Sequence, residues 1–194
     1  MTYRLLAMDL DGTIIGNDLI IRPRVKEAIA RAIDAGLIVT LATGRMYQGT
    51  KRFADELGIV QPVLCYQGAM IRHTGTNETW YHEPVPIDDA RQVIELANQQ
   101  NKTVIAFVDD QCYVSTENDD SRFYHRHSGV KPAAVGDLRA WLPEAPTKVL
   151  ILTPKEETDG TVAFFRDRFS QTLFVTRSYP LFTELTHVNV SKGR

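Results

Sequence analysis

No apolar run in this sequence is longer than a strand, so nothing in it has the length of a membrane-spanning helix. Cysteine is scarce: Cys65 and Cys112 lie in predicted strands without CxxC or other metal spacing, which excludes a disulfide framework or thiolate metal site and leaves two free buried thiols. Basic residues form no stripe, and 22 Lys and Arg against 24 Asp and Glu give a formal net charge of -2, which disfavours nucleic acid as a partner. Neither GxxxxGKS/T nor GxGxxG occurs, so neither a P-loop nor a dinucleotide fold is supported. There is no internal repeat, no low-complexity stretch and no secretory signal before the first strand, and the expected compartment is the cytoplasm. A hydrophobic content of 43% with 24% charged residues is that of an ordinary globular protein with a core of its own.

What is present begins at Leu5-Leu6-Ala7-Met8-Asp9-Leu10-Asp11-Gly12-Thr13, where an apolar run of the kind found in buried parallel strands ends in two carboxylates and a glycine. Residues two apart on a strand share a side, so Asp9 and Asp11 are expected to project together beyond its carboxyl end, where open α/β sheets bind ligands. A plain Asp-Gly hairpin does not fit, because Ile14 and Ile15 lead on to a helical pattern and not to a partner strand. An EF-hand does not fit either: the glycine comes fourth after Asp9, and Ile20 stands where the bidentate Glu belongs.

Pro23 opens a helix with Val25, Ala28, Ile29, Ala32 and Ile33 on one face, closed by Gly36. A second buried strand, Leu37 to Ala42, ends in Thr43-Gly44-Arg45 before a helix carrying Tyr47, Thr50, Ala54 and Leu57, and Pro62 to Tyr66 is a third strand. Strands alternating with helices begin a doubly wound parallel sheet. Met70 to His82 then reads as a β-hairpin, and the two prolines of Glu83-Pro84-Val85-Pro86 mark the exit into a second domain. There Asp88 is placed to cap a helix with Ala90, Val93, Ile94 and Ala97 inward. Strands at Thr103 to Val108, Gln111 to Thr116, Lys148 to Leu152, Thr172 to Thr176 and Phe182 to Thr186, with helices around Leu138 and Val162 to Phe169, make an α+β domain on a largely antiparallel sheet. The acidic group Asp109, Asp110, Glu117, Asp119 and Asp120 reads as a solvated rim, and the scattered histidines imply no metal site.

Two strands of one sheet that both end in polar clusters bring Asp9, Asp11 and Thr43 to one crevice. Gly12 and Gly44 leave backbone N–H groups open to an anion, and Thr13 and Thr43 offer hydroxyls. Paired carboxylates repel a phosphate, so a cation is required, and oxygen ligands suit Mg²⁺. Thr43-Gly44-Arg45 taken alone reads as a helix N-cap.

Asp9-Leu10-Asp11-Gly12-Thr13, Ala42-Thr43-Gly44-Arg45 and Val190-Ser191-Lys192-Gly193, in that order and with a domain inserted between the last two, resemble the haloacid dehalogenase superfamily, in particular its Cof-type phosphatases. The resemblance implies a Rossmann-like α/β core over residues 1–84, an inserted α+β cap over 85–186 and a return to the core over 187–194. It makes Asp9 the nucleophile that forms an aspartyl-phosphate, and Asp11 the general acid and base. Mg²⁺ would be held through Asp9 and Asp11, and Leu10, Gly12, Thr13, Thr43, Gly44 and Lys192 would bind the phosphoryl group, with Arg45 on the substrate. The expected substrate is a small phosphorylated metabolite such as a sugar phosphate or nucleotide. Gln67-Gly68-Ala69 stands where relatives have Asn-Gly-Ala, a departure that alters a turn or a substrate contact. The family's fourth motif, Gly-Asp-x-x-Asn-Asp, does not occur in the 194 residues. The accompanying expectation is a fragment of a longer protein, or a truncated binding module with an uncovered apolar sheet edge; a phosphotransferase or mutase of the same superfamily is the nearer alternative.

Overall fold

Leu5–Met8 (β1) and Ile38–Leu41 (β2) pair in parallel in the computed structural model, which describes residues 3–16 and 18–193, with Leu5 opposite Ile38 and Met8 opposite Leu41. The crossover between them is Pro23–Asp34 (α1), which starts on its proline and stops where Gly36 adopts φ +83°. Tyr47–Glu56 (α2) follows β2 and buries Tyr47, Thr50, Phe53 and Ala54. Pro62–Cys65 (β3) joins β2 through a parallel bridge between Ala42 and Leu64, then turns back antiparallel to Met70–His73 (β4), which pairs with Thr79–His82 (β5). The expected βαβα start and hairpin are therefore present.

One expectation fails in this region. β1 was read as a buried strand, yet Leu5 is 59% exposed and Ile38 beside it 47%. The cause is local: among the described residues β1 hydrogen-bonds to β2 alone, so its outer edge and part of its face are uncovered.

The chain divides into two compact units, one running to His82 and resumed at Ser191, the other Glu83–Val190. The second is built on a six-stranded sheet in the order β10-β11-β9-β6-β7-β8, from Thr103–Val108 (β6), Gln111–Val114 (β7), Ala133–Ala134 (β8), Lys148–Leu152 (β9), Leu173–Tyr179 (β10) and Phe182–His187 (β11). All pairings are antiparallel except β7 with β8. Ile87–Gln99 (α3) and Lys155–Phe169 (α6) pack Ala90, Val93, Ile94, Ala97, Val162, Phe165 and Phe169 against Val104, Ala106, Val149, Ile151 and Val175 of the sheet. Alternation puts Phe107 on the opposite face, where it meets Tyr124 of Asp119–Ser128 (α4) edge-on. A four-residue helix, Leu138–Trp141 (α5), completes the core.

Two details differ from the sequence reading. Asp88 lies in the first turn of α3 and Pro86 is the N-cap, since the extended proline already sets the entry angle. Asp110 is buried, because Asp109 and Asp110 form a two-residue hairpin turn with φ +47° and +56° that folds the second carboxylate inward. Cys65 and Cys112 are buried thiols that form no disulfide among the described residues, and burial pushes the Cys112 thiol up to about 12. No helix among the described residues is long and apolar enough to cross a membrane.

The sheet of the second unit holds a buried ion pair. Lys148 Nζ donates to Glu184 Oε1 at 2.9 Å with only 5% and 8% of the side chains exposed, and it lies 4.7 Å from the centre of the Phe107 ring. Glu184 Oε2 has no hydrogen-bond partner among the described residues. Removing one charge strands the other, so Lys148→Met is expected to cost about 3–5 kcal/mol in urea unfolding, and Lys148→Met combined with Glu184→Met to recover most of that loss.

Candidate active site

The loops that leave β1, β2 and β3 emerge at one edge, because β1 and β2 are parallel and in register and Ala42 bridges Leu64. The first loop is wound around Leu10. Its side chain is fully buried, and its carbonyl accepts the N–H groups of Thr13 at 3.2 Å, Ile14 at 2.9 Å and Ile15 at 3.0 Å. Gly12 supplies the left-handed residue of this turn at φ +75°, and its N–H donates to Ile15 O at 2.9 Å. The Gly12 amide, expected to be open to an anion, is thereby consumed within the turn, as is the Thr13 amide. The Thr13 hydroxyl sits on an exposed side chain, and the Leu10 N–H makes no hydrogen bond among the described residues.

Each carboxylate of the loop meets a cation from elsewhere in the chain. Lys192 Nζ donates to Asp9 Oδ1 at 2.8 Å. Arg45 forks onto Asp11, Nε to Oδ2 at 2.8 Å and Nη2 to Oδ1 at 2.7 Å, the planar two-point geometry that a lysine cannot reproduce. The Arg45 guanidinium is steadied from behind by Phe53, 5.7 Å from the ring centre. Arg45 was assigned to the substrate from sequence; in this structure its guanidinium is engaged by Asp11.

Thr43 is wholly buried and fixed on both sides of its peptide unit, its N–H donating to Leu64 O at 2.9 Å and its carbonyl accepting from Gln67 N at 3.0 Å. Its Oγ1 accepts the Arg45 N–H at 3.2 Å, which leaves the hydroxyl proton to donate. The reading of Thr43-Gly44-Arg45 as a helix N-cap is set aside, since the N-cap of α2 is Met46 and it carries no side-chain cap.

The third loop, unassigned from the sequence beyond its departure from Asn-Gly-Ala, locks the other two together. Tyr66 N–H donates to Arg45 O at 2.9 Å, and Tyr66 and Gln67 both hold left-handed backbones, φ +52° and +62°. Gly68, at φ +104°, is pressed against the returning segment: a Cβ there would lie 2.4 Å from Ser191 O, next to the lysine that reaches Asp9. At Gly44 a Cβ would lie 2.4 Å from Gln67 Nε2. A signal for this loop was available, since the third strand ends, like the first two, in a polar turn with a glycine. The support of Arg45 by Phe53 had no such signal.

Asp9, Asp11, Thr43, Gly44, Arg45 and Lys192 thus meet at one strand edge. Among the described residues no group of three or more His, Cys, Asp or Glu side chains comes together. Two carboxylates with nearby main-chain oxygens still form an all-oxygen donor set of the hard kind that Mg²⁺ takes when it keeps water and substrate oxygens as its remaining ligands.

The two glycines are expected to respond differently to alanine. Gly68→Ala meets rigid backbone at a positive φ and should lose about 2 kcal/mol or more in urea unfolding, whereas Gly44→Ala meets only the end of a flexible side chain and should lose less than about 1 kcal/mol. Equal losses would show that Gly68 does not hold the Ser191 segment.

The haloacid dehalogenase-like hydrolase family profile matches residues 6–194. The chain is 29% identical over 166 residues to the 5-amino-6-(5-phospho-D-ribitylamino)uracil phosphatase YitU of Bacillus subtilis, covering 84% of this chain and 61% of that protein. It is 32% identical over 110 residues to the pyridoxal phosphate phosphatase YbhA of Escherichia coli, covering 57% of this chain and 40% of that one. The crystal structure of TM0651 from Thermotoga maritima superposes with a TM-score of 0.85 at 26% identity, over 99% of this chain and 72% of that chain. The chain therefore spans about three fifths of YitU's length. Its α/β fold with a Rossmann-like core and its strand-end motifs agree with these matches, and the chain belongs to the haloacid dehalogenase-like hydrolase family, in its Cof-type branch.

Proposed function

We propose that this protein is a phosphomonoester hydrolase for small phosphorylated metabolites, in which Asp9 is the nucleophile and Asp11 the general acid and base. The observation that carries the reading is charge balance at the strand edge. Asp9 and Asp11 are offset one for one by Lys192 and Arg45, so the crevice is close to neutral before a phosphate dianion arrives. An incoming dianion would then leave two negative charges in excess, which a divalent cation cancels. The donor set suits Mg²⁺: the Asp9 carboxylate and the Asp11 main-chain carbonyl would hold it, and it would supply positive charge to offset that on the phosphoryl oxygens.

In this reading an Asp9 oxygen attacks phosphorus, the ester P–O bond breaks, and the leaving alkoxide takes a proton from Asp11. Water then attacks the phosphorus of the aspartyl-phosphate, Asp11 takes back a proton, and the Asp9 carboxylate and inorganic phosphate separate. Lys192, the Leu10 N–H and the Thr43 hydroxyl bind the phosphoryl oxygens throughout, and their fixed positions keep reorganisation small. Arg45 acts as a positioning residue: both Asp11 oxygens accept from its fork, so Asp11 has to turn one oxygen out of the fork to take up from solvent the proton that it then gives to the leaving alkoxide. The substrate class rests on relatives named as phosphatases of a ribityl-uracil phosphate and of pyridoxal phosphate. In the same reading Glu83–Val190 is the cap that selects the substrate.

The test is phosphate release from a panel of phosphomonoesters. Asp9→Asn is expected to abolish release, Asp11→Asn to lower kcat by about 10²–10⁴-fold, and EDTA to stop the wild-type protein until Mg²⁺ is restored. Arg45→Lys keeps the charge and loses the fork, so it should lower kcat more than it raises KM. Full release by Asp9→Asn would reject the reading.

A further inference from the structure

The loop after β3 spends backbone strain on one side chain. Tyr66 and Gln67 are consecutive non-glycine residues in the left-handed region, a conformation that is strained for a residue with a Cβ and persists only where the surroundings impose it. Here the imposition is visible: Tyr66 and Gln67 donate their N–H groups to Arg45 O and Thr43 O, and Gly68 is wedged against Ser191. The result is that the Gln67 carboxamide is laid on Gly44, filling the space a Cβ would need. The partly exposed carboxamide makes no hydrogen bond among the described residues. A polar group brought to this place by a strained backbone, with no hydrogen bond to the rest of the described chain, is available to a partner from outside the chain.

We propose that Gln67 is a substrate-contacting, specificity-determining residue that reads hydroxyl or amide groups of the moiety esterified to the phosphate. The inference rests on the phosphatase reading and deepens it. Lys192 already supplies a positive charge for the phosphoryl group, and the Thr43 hydroxyl and Leu10 N–H supply donors. A neutral carboxamide adds little for a dianion, but it offers donor and acceptor together, the pairing that a sugar or polyol hydroxyl needs. Its seat on the side-chain side of Gly44 sets it beside the motif and not among its amides.

The experiment is calorimetric titration in the Asp9→Asn background with a pentose phosphate, a hexose phosphate, glycerol phosphate and inorganic phosphate. Gln67→Leu keeps the volume and removes the amide; it is expected to weaken the best-bound organic phosphate about tenfold, the size of one net hydrogen bond, and inorganic phosphate less than about twofold. Gln67→Asn tolerates the left-handed backbone better but falls short by one methylene, so it is expected to raise the thermal midpoint while weakening the same organic phosphate several-fold. A residue that only braces the loop would not move stability and affinity in opposite directions. The inference is overturned if both variants bind every ligand within about twofold of the parent, if they lose organic and inorganic phosphate equally, or if no organic phosphate binds the parent better than inorganic phosphate. Phosphate release by the Asp9→Asn parent would count instead against the phosphatase reading, so the two failures are separable.

Discussion

Two carboxylates two residues apart cannot share the end of one strand without compensation, and the first unit is arranged to supply it. Asp9 takes its cation from Lys192, 183 residues further on, and Asp11 takes its cation from Arg45. Like charges placed side by side repel, and with the Asp9 and Asp11 side chains 40% and 53% exposed, water weakens that repulsion but does not remove it. Each of the other features of the edge serves to bring these cations in. The β1–β2 register brings Arg45 alongside the first loop, and Phe53 of α2 backs the guanidinium. Gly68 admits the Ser191 carbonyl at a distance no side chain permits, and so lets Lys192 reach Asp9.

The three loops also differ in what their backbones have left to give. The first consumes most of its amides in holding itself together around Leu10, and its binding capacity is concentrated in side chains and the Leu10 N–H. The second is pinned through Thr43 to both β3 and the third loop. The third carries the strain. A site of this kind is rigid because its loops hold each other, and pre-set charges and donors of fixed position are what phosphoryl transfer demands of a protein.

The fold was legible in the sequence wherever periodicity was strong. The inward faces of α3 and α6, the span of β9 and the hairpin from Met70 to His82 appear as read, because apolar spacing and turn residues agree there. The same rule misjudged β1. An apolar run reports what a strand is suited to, and whether its edge is covered depends on neighbours that periodicity does not see. At the site, Asp9, Asp11, Thr43 and Arg45 were found as strand-end clusters, but their pairing was not. That Arg45 forks onto Asp11, that Gly12 spends its amide on Ile15, and that Gln67 lies on Gly44 follow from loop geometry, which side-chain identity alone does not specify. Asp110 was misread for the same reason, since its place in the hairpin turn and not its charge sets its burial.

The central claim is that Asp9 becomes phosphorylated, and acid quench of the protein during turnover followed by peptide mass spectrometry tests it most directly. A phosphate-sized mass increase on the peptide that contains Asp9, lost on treatment with hydroxylamine and missing from the Asp9→Asn protein, is the predicted result. Steady phosphate release with no such adduct at any quench time, even when water attack is slowed by Asp11→Asn, would contradict it.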